Sequence, residues 1–411
     1  MNDYSTTANQ LTDFAPQLPR DRRLRLVLQF ARMMQSGKLN IVLPDGGTHH
    51  FEGREPGPSA TLIIKDPRMV ARLAFGGCLG LCEGYLDGMW DSPNVTEVLR
   101  IGTANEIAFD SMLRGNAWAR FASWAMHRLR PNTRKGAARN IAEHYDLGND
   151  FYSAWLDSSM TYSSAIFENG EKDLQAAQLQ KYRALCKAMH LRPGMRLLEI
   201  GCGWGGFAEL AAAEFGAHVT GITLSREQLA YAQARIAKAG LSDRVTLKLQ
   251  DYRDTEQKFD RIASIEMFEA VGEEYWPAYF NTLRERLAPG GLAGLQVITI
   301  ADRLFPDYRK TADFIQRYVF PGGMLPSPSR LREEIGRAGL ALREQLWFGL
   351  DYGETLRRWR ANFEANWENI SGTHTQYDTR FKRLWEFYLG YCEVGFDAGF
   401  TDVGQIILER A

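Results

Sequence analysis

The stretch that most constrains this chain is Arg196 to Phe207, which reads Arg-Leu-Leu-Glu-Ile-Gly-Cys-Gly-Trp-Gly-Gly-Phe. An apolar run carrying one acid, then glycines at 201, 203, 205 and 206, then an alanine-rich helical pattern, predicts strand, tight turn and helix. Glycine is needed where the backbone takes positive φ or where a ligand approaches the main chain with no Cβ in the way. Such a turn holds a nucleotide-like ligand, or it is a bare βα turn.

A phosphate-cradling loop would carry Lys followed by Ser or Thr, and none follows Gly206. A dinucleotide fingerprint fits Gly201, Gly203 and Gly206, but it also needs an acid about 20 residues on for the ribose, and that region reads Gly221-Ile222-Thr223. The overlapping Glu-x-Gly-x-Gly-x-Gly spacing from Glu199 to Gly205 suits S-adenosylmethionine (SAM) better, because a nucleoside without phosphates needs shape and hydrogen bonds in place of an anion nest.

The following pattern alternates. Helix is expected over Gly206–Phe215, strand over His218–Thr223, helix over Ser225–Ala239, and strands over Val245–Gln250 and Phe259–Ile265. Helix Tyr275–Leu287, a Pro-Gly-Gly turn and strand Leu292–Ile300 come next. Repeated units of this length mean a mostly parallel sheet covered on both faces, with ligands at the carboxyl ends of its strands. Those ends carry Glu199, then Thr223, Ser225 and Gln228, then Gln250-Asp251-Tyr252, then Glu266 and Glu269, all compatible with a nucleoside and a reacting group.

Ahead of this unit, a helix over Asp21–Gly37, short strands at Leu39–Leu43, His49–Glu52 and Ala60–Ile64, and helices around Pro67–Phe75 and Asn94–Ala108 make an N-terminal α+β domain, 1–112. Residues 113–139 carry seven Arg or Lys and no Asp or Glu, with Trp118, Phe121 and Trp124 at helical spacing. That pattern fits either a basic amphipathic helix on an anionic membrane surface or a linker helix docked on a neighbour. Residues 140–167, rich in Tyr, Ser and Asn and including His144, read as a lid on a catalytic domain spanning 140–411. Within that domain Phe305, Tyr308, Phe314, Tyr318 and Phe320 precede Pro321–Pro328, so an insertion around 301–328 either walls a channel or packs as ordinary core. Aromatic-rich helices at Leu356–Trp367 and Arg380–Phe396 lead to a last strand, Asp402–Leu408.

A net charge of −1 argues against a nucleic-acid partner held by global charge. Five cysteines form no metal-type double pair, so no metal site is expected. No uninterrupted apolar run approaches the roughly 20 residues of a spanning helix, and the polar start lacks a signal core, so the expectation is a cytoplasmic protein.

His144 to Phe167, Leu197 to Phe207, Gly221 to Gln228, Gln250 to Asp254, Met267 to Gly272 and Phe348 to Tyr352 together resemble the cyclopropane-fatty-acyl-phospholipid synthases and their mycolic-acid relatives. The resemblance covers about residues 140 to 405 and extends to the N-terminal domain. It implies an α/β fold of the class I (Rossmann-like) SAM-dependent methyltransferase type, acting on a cis double bond within a phospholipid acyl chain. A homodimer lying against the inner face of the membrane is implied as well. Carried over, Tyr162 and Ser163 hold the amino-acid end of SAM, Gly201, Gly203 and Gly205 form the cradle, Thr223 and Gln228 meet the ribose, and Asp251 and Tyr252 the adenine.

The resemblance also implies a bound bicarbonate as base, held by a Cys, a Glu, a His, a backbone group near an Ile, and a Tyr. Glu269, Ile298 and Tyr352 match that set, whereas Ser164 stands for the Cys and Gln296 for the His, and Phe-Glu-His reads Phe268-Glu269-Ala270. Ser and Gln still hydrogen-bond an anion, but the imidazole able to carry charge is gone. Three outcomes stay open: a cyclopropane made with the anion site intact, a methyl-branched product made with a moved base such as Glu269 or Glu266, or a catalytically weak lipid-binding or SAM-sensing relative.

Overall fold

The computed structural model describes residues 19–113, 136 and 147–410. Most of the basic stretch expected over 113–139, and His144, lie outside the described residues.

Near the N-terminus, strands β1 (Ser36–Val42), β2 (Thr48–Glu52), β3 (Glu55–Ile64) and β4 (Trp90–Asp91) form one sheet in the order β2-β1-β3-β4. Pro44-Asp45-Gly46-Gly47 makes the expected hairpin: the Leu43 amide donates to the Gly47 carbonyl at 2.8 Å and Gly46 takes φ +86. The helix read around Pro67–Phe75 is longer, running Arg68–Leu86 across a kink at Gly77 (φ +58, ψ −137). By length and composition this 19-residue helix could cross a membrane, yet half of its apolar window is buried in the fold.

The larger sheet holds β5 (Arg196–Ile200), β6 (His218–Thr223), β7 (Val245–Leu249), β8 (Phe259–Ile265), β9 (Leu287–Ile300), β10 (Leu340–Trp347) and β11 (Thr401–Arg410), in the order β10-β11-β9-β8-β5-β6-β7. The pairs from β7 to β9 are parallel, and β11 runs antiparallel between β9 and β10. Successive side chains on a strand point to opposite faces. Leu197 accordingly joins Leu185, Phe207 and Ile236 on one side, while Leu198 joins Tyr279, Phe280 and Ile335 on the other, so helices cover both faces.

β10 was missed in the sequence because it is an edge strand whose Arg343, Glu344, Gln345 and Leu346 are exposed, erasing the apolar pattern. β9 starts five residues earlier than expected; its pairing with β8 shifts between Phe259 and Arg261, which absorbs Pro289-Gly290-Gly291.

A third apolar cluster joins the N-terminal sheet to the lid and to helices Gly349–Ala365 and Thr379–Asp397. Helix Thr379–Asp397 crosses the N-terminal helix Val95–Ala104 so closely that a Cβ at Gly390 would come 2.5 Å from Thr96 Oγ1. Arg100 ties this contact electrostatically, reaching Glu393 at 2.5 Å and Asp397 at 2.6 Å. The 301–328 insertion divides its aromatics between two jobs. Phe314 packs against Phe387 and Tyr391 as core, whereas Phe320 lies beside Tyr162 and Tyr388.

Candidate active site

The chain leaves β5 toward β6 on one side and returns to β8 on the other, so a crevice opens at the carboxyl end of β5. The glycine loop, Glu199, Thr223, Gln228, Gln250, Tyr252, Glu266 and Met267 line it, and lid residues Met160 to Ser163 close one side. Gly201 and Gly203 take φ +84 and +50; a Cβ at Gly201 would come 2.9 Å from Met267, and Gly203 faces open space. The lid is tied down by Trp204, whose indole donates to Asn149 Oδ1 at 2.7 Å, and by Arg235, which donates to the Ser159 carbonyl at 2.6 Å.

Glu199 gives the cleft its chemistry. Its carboxyl is buried, Oε2 has no hydrogen-bond partner among the described residues, and burial pushes its pKa up to about 8. A buried acceptor left unpaired is costly, so a cationic, donor-rich ligand such as SAM fits here. Thr223 Oγ1 donates to Gln228 Oε1 at 3.1 Å, which fixes two polar groups on the wall where a ribose would lie. Tyr162, Ser163, Gly201, Gly203 and Tyr252 are likewise on the wall.

Two expected cofactor residues are placed differently. Gly205 is not on the wall; it caps the helix Gly206–Phe215 at φ +83, and a Cβ there would press on Ala232. Asp251 is not on the wall either, because both its oxygens are held by the Arg253 guanidinium at 2.8 and 2.6 Å, leaving Gln250 and Tyr252 to face the cleft.

Behind the cleft lies a second, closed polar centre, and Glu266 is its hub. The Ser164 amide donates to Glu266 Oε1 at 2.9 Å, Gln296 Nε2 donates to the same oxygen at 2.8 Å, and Tyr352 Oη donates to Oε2 at 2.7 Å. Gln296 is itself aimed by Gln405, whose Nε2 donates to Gln296 Oε1 at 3.1 Å. Glu269 stands beside this hub: the Ile298 amide donates to its Oε1 at 2.5 Å, and Oε2 is buried without a hydrogen-bond partner among the described residues. Burial, and then the neighbouring Glu266 charge, pushes the Glu269 carboxyl up to about 8.

The five residues expected to surround a bicarbonate are thus brought together, but the four donors among them already serve side-chain carboxylates, three of them Glu266 and the Ile298 amide Glu269. The Ser164 hydroxyl donates to the Ala165 carbonyl at 3.0 Å, so this residue contributes its backbone amide to the hub while its side chain is engaged elsewhere. A separate bicarbonate does not fit this donor set.

Glu266 is marked in the sequence only as one of two carboxylates after β8, and Lys181 carries no motif at all. Glu266 takes φ +49, unusual for a side chain of this size, and that conformation turns it from the end of β8 toward the hub. Lys181 is fully buried on the helix Leu174–Ala188. Leu174, Ala177, Gln178, Lys181, Tyr182 and Leu185 recur at three- and four-residue spacing on its buried face. A charged residue on that stripe was the available signal.

The arrangement has known relatives. The sequence profile of the family described as mycolic acid cyclopropane synthetase matches residues 132–406. Over 386 residues the chain is 38% identical to the tuberculostearic acid methyltransferase of Mycobacterium tuberculosis, covering 90% of this chain and 88% of that protein. Over 361 residues it is 36% identical to the cyclopropane-fatty-acyl-phospholipid synthase of Escherichia coli strain K12, covering 85% of this chain and 88% of that one. Among solved structures, a mycolic acid cyclopropane synthase complexed with SAH and CTAB superposes with a TM-score of 0.62 at 30% identity, over 68% of this chain and 99% of the other. The profile match, the identity to these relatives along most of the chain and the common fold, whose cleft here opens at the switch point of a seven-stranded sheet, place this chain in the mycolic acid cyclopropane synthetase family, as a SAM-dependent methyltransferase of the class I fold.

Proposed function

We propose that this enzyme methylates a carbon of a cis double bond in an unsaturated phospholipid acyl chain and closes the product to a cyclopropane, with Glu266 as the proton acceptor. The observation that carries this reading is the position of Glu266, which borders the cofactor cleft and is also held by three donors. When bound, SAM supplies an electrophilic methyl group on a sulfonium. The alkene electron pair forms the new carbon–carbon bond, leaving positive charge on the neighbouring chain carbon.

Aromatic faces stabilise such a cation and exclude the water that would quench it. Tyr162 is enclosed for this purpose, with the rings of Trp155 and Trp359 each 5.4 Å away and Tyr152 at 5.5 Å. The transferred methyl arrives from the cleft side, so a base on the cleft wall faces that methyl rather than the distant chain. Glu266 takes one of its protons, and the released C–H pair closes the third bond of the ring. Hydrogen bonds from Ser164, Gln296 and Tyr352 fix the carboxylate for that transfer and favour its charged form.

The 38% identity to a tuberculostearic acid methyltransferase favours a second reading, loss of a proton from the chain to give a methyl-branched product. One experiment separates the two: purified enzyme, SAM and vesicles of cis-unsaturated phosphatidylethanolamine, with the acyl chains examined by proton NMR. Ring protons well upfield are expected. Branched-methyl or alkene-methylene signals without them would overturn the cyclopropane assignment, and no S-adenosylhomocysteine released would overturn the activity itself.

Reaching a phospholipid acyl chain calls for contact with a bilayer surface, and the side proposed for it is the cytoplasmic one. Sedimentation with anionic vesicles that weakens as salt rises is the expected sign.

A further inference from the structure

We propose that Lys181 is a positioning residue for the proton acceptor: its buried ammonium anchors Ser163 and supplies the positive charge that keeps the Glu266 carboxylate ionised. This rests on the reading of Glu266 as the base.

Two routes connect the residues. Lys181 Nζ donates to Ser163 Oγ at 2.6 Å, and the next peptide amide, that of Ser164, donates to Glu266 Oε1 at 2.9 Å. On the other side, Gln405 Nε2 donates both to the Lys181 carbonyl at 3.0 Å and to Gln296 Oε1, while Gln296 Nε2 reaches the same Glu266 oxygen. No ion pair joins Lys181 to Glu266 among the described residues, so the ammonium acts through its field and through Ser163, leaving the carboxylate free to accept a proton. Fully buried, that field is little screened.

The charge balance explains why a cation is needed. Glu266 and Glu269 are neighbours, and two buried carboxylates cannot both ionise without compensation. Burial raises the Glu266 carboxyl, and Lys181, Tyr352, Gln296 and Ser164 draw it back. Burial likewise lowers the Lys181 ammonium, and the charges of Glu266 and of Asp157 from the lid draw it back. The Tyr182 ring faces Lys181 Nζ at 4.4 Å and adds a cation–π contact. One positive charge therefore supports one carboxylate. The hydrogen bonds select Glu266, which has three donors, over Glu269, whose Oε1 takes the Ile298 amide and whose Oε2 has no hydrogen-bond partner among the described residues.

The test is the pH profile of kcat for the wild type and for Lys181→Met, using SAM and cis-unsaturated phosphatidylethanolamine vesicles. Losing the cation should raise the apparent pKa of the base, so the acid limb moves up by about one pH unit or more, with KM for SAM changed by less than about threefold. Slower turnover with an unmoved limb means a merely structural lysine and overturns the proposal. A rise in KM for SAM with an unmoved limb assigns Lys181 to Ser163 alone and overturns it too.

If Lys181→Met does not fold, the double variant Lys181→Met with Glu266→Gln should fold and bind S-adenosylhomocysteine, since the uncompensated carboxylate is gone. Equal failure of the double variant overturns the proposal. Full activity in Glu266→Gln alone would instead sink the parent reading.

Discussion

The two polar regions that meet at Glu266 are built on opposite terms. The cofactor cleft is an open crevice whose wall leaves Glu199 Oε2 without a hydrogen-bond partner among the described residues, as a site awaiting a ligand does. The centre behind it is closed and mostly self-satisfied, with the Ser164 amide, Gln296 and Tyr352 all spent on one side chain of the protein itself. A cleft that must recognise a ligand keeps its groups unpaired, and a centre that must hold one charged group in place spends its donors on that group.

Glu266→Gln probes the contrast most sharply. Turnover should fall about 10²–10⁴-fold, the usual weight of a positioned general base, with S-adenosylhomocysteine affinity nearly unchanged by calorimetry. Glu269→Gln should cost less than about tenfold, because a carboxyl held up to about 8 is largely neutral at pH 7 and an amide imitates it. The reverse order would transfer the hub to Glu269.

Tyr352→Phe removes one of the donors to Glu266, so kcat should drop about tenfold at pH 7 and recover as pH rises. An unmoved profile would show that this hydrogen bond does not tune the base.

In the cleft, Glu199→Gln should weaken SAM binding about tenfold while stabilising the free protein. The sign follows from linkage. A carboxyl raised to about 8 in the fold gives no penalty below its unfolded value, and ionising it costs increasing stability as pH climbs toward 8. The variant should therefore melt higher than the wild type at pH 8 and equally at pH 4.5. Equal melting at both would place Glu199 in a satisfied site. The smallest effect is expected for Asp251→Asn, with SAM affinity changed by less than about threefold, since Arg253 already occupies the carboxylate. A large loss would return Asp251 to the adenine site.

The regions also differed in how far they could be read beforehand. Strands β5 to β8 and the helices between them follow from the sequence nearly to the residue, because short apolar-rich strands alternate with helical periodicity between glycine turns, and even edge strand β7 keeps Val245, Leu247 and Leu249 at alternate positions. Edge strand β10 did not, because water faces most of its residues. Thr223, Gln228 and Tyr252, which line the cleft, are marked by their position at or just after strand ends, a rule that is local in the chain. The hub has no such locality: its donors stand 102, 30 and 86 residues from Glu266 in the cases of Ser164, Gln296 and Tyr352.

By itself, the sequence determined the parallel part of the sheet, the glycine loop and which strand ends line the cleft, since each rests on backbone conformation and on residues within a few positions of one another. Only the tertiary structure decided that Asp251 turns to Arg253, that Lys181 is buried behind the lid, and that the donors expected around a bicarbonate close on Glu266 instead. The reason is physical. Which carboxylate a buried amide, amine or phenol serves depends on distances between segments far apart in the chain, and those distances exist only once the helices and strands have packed.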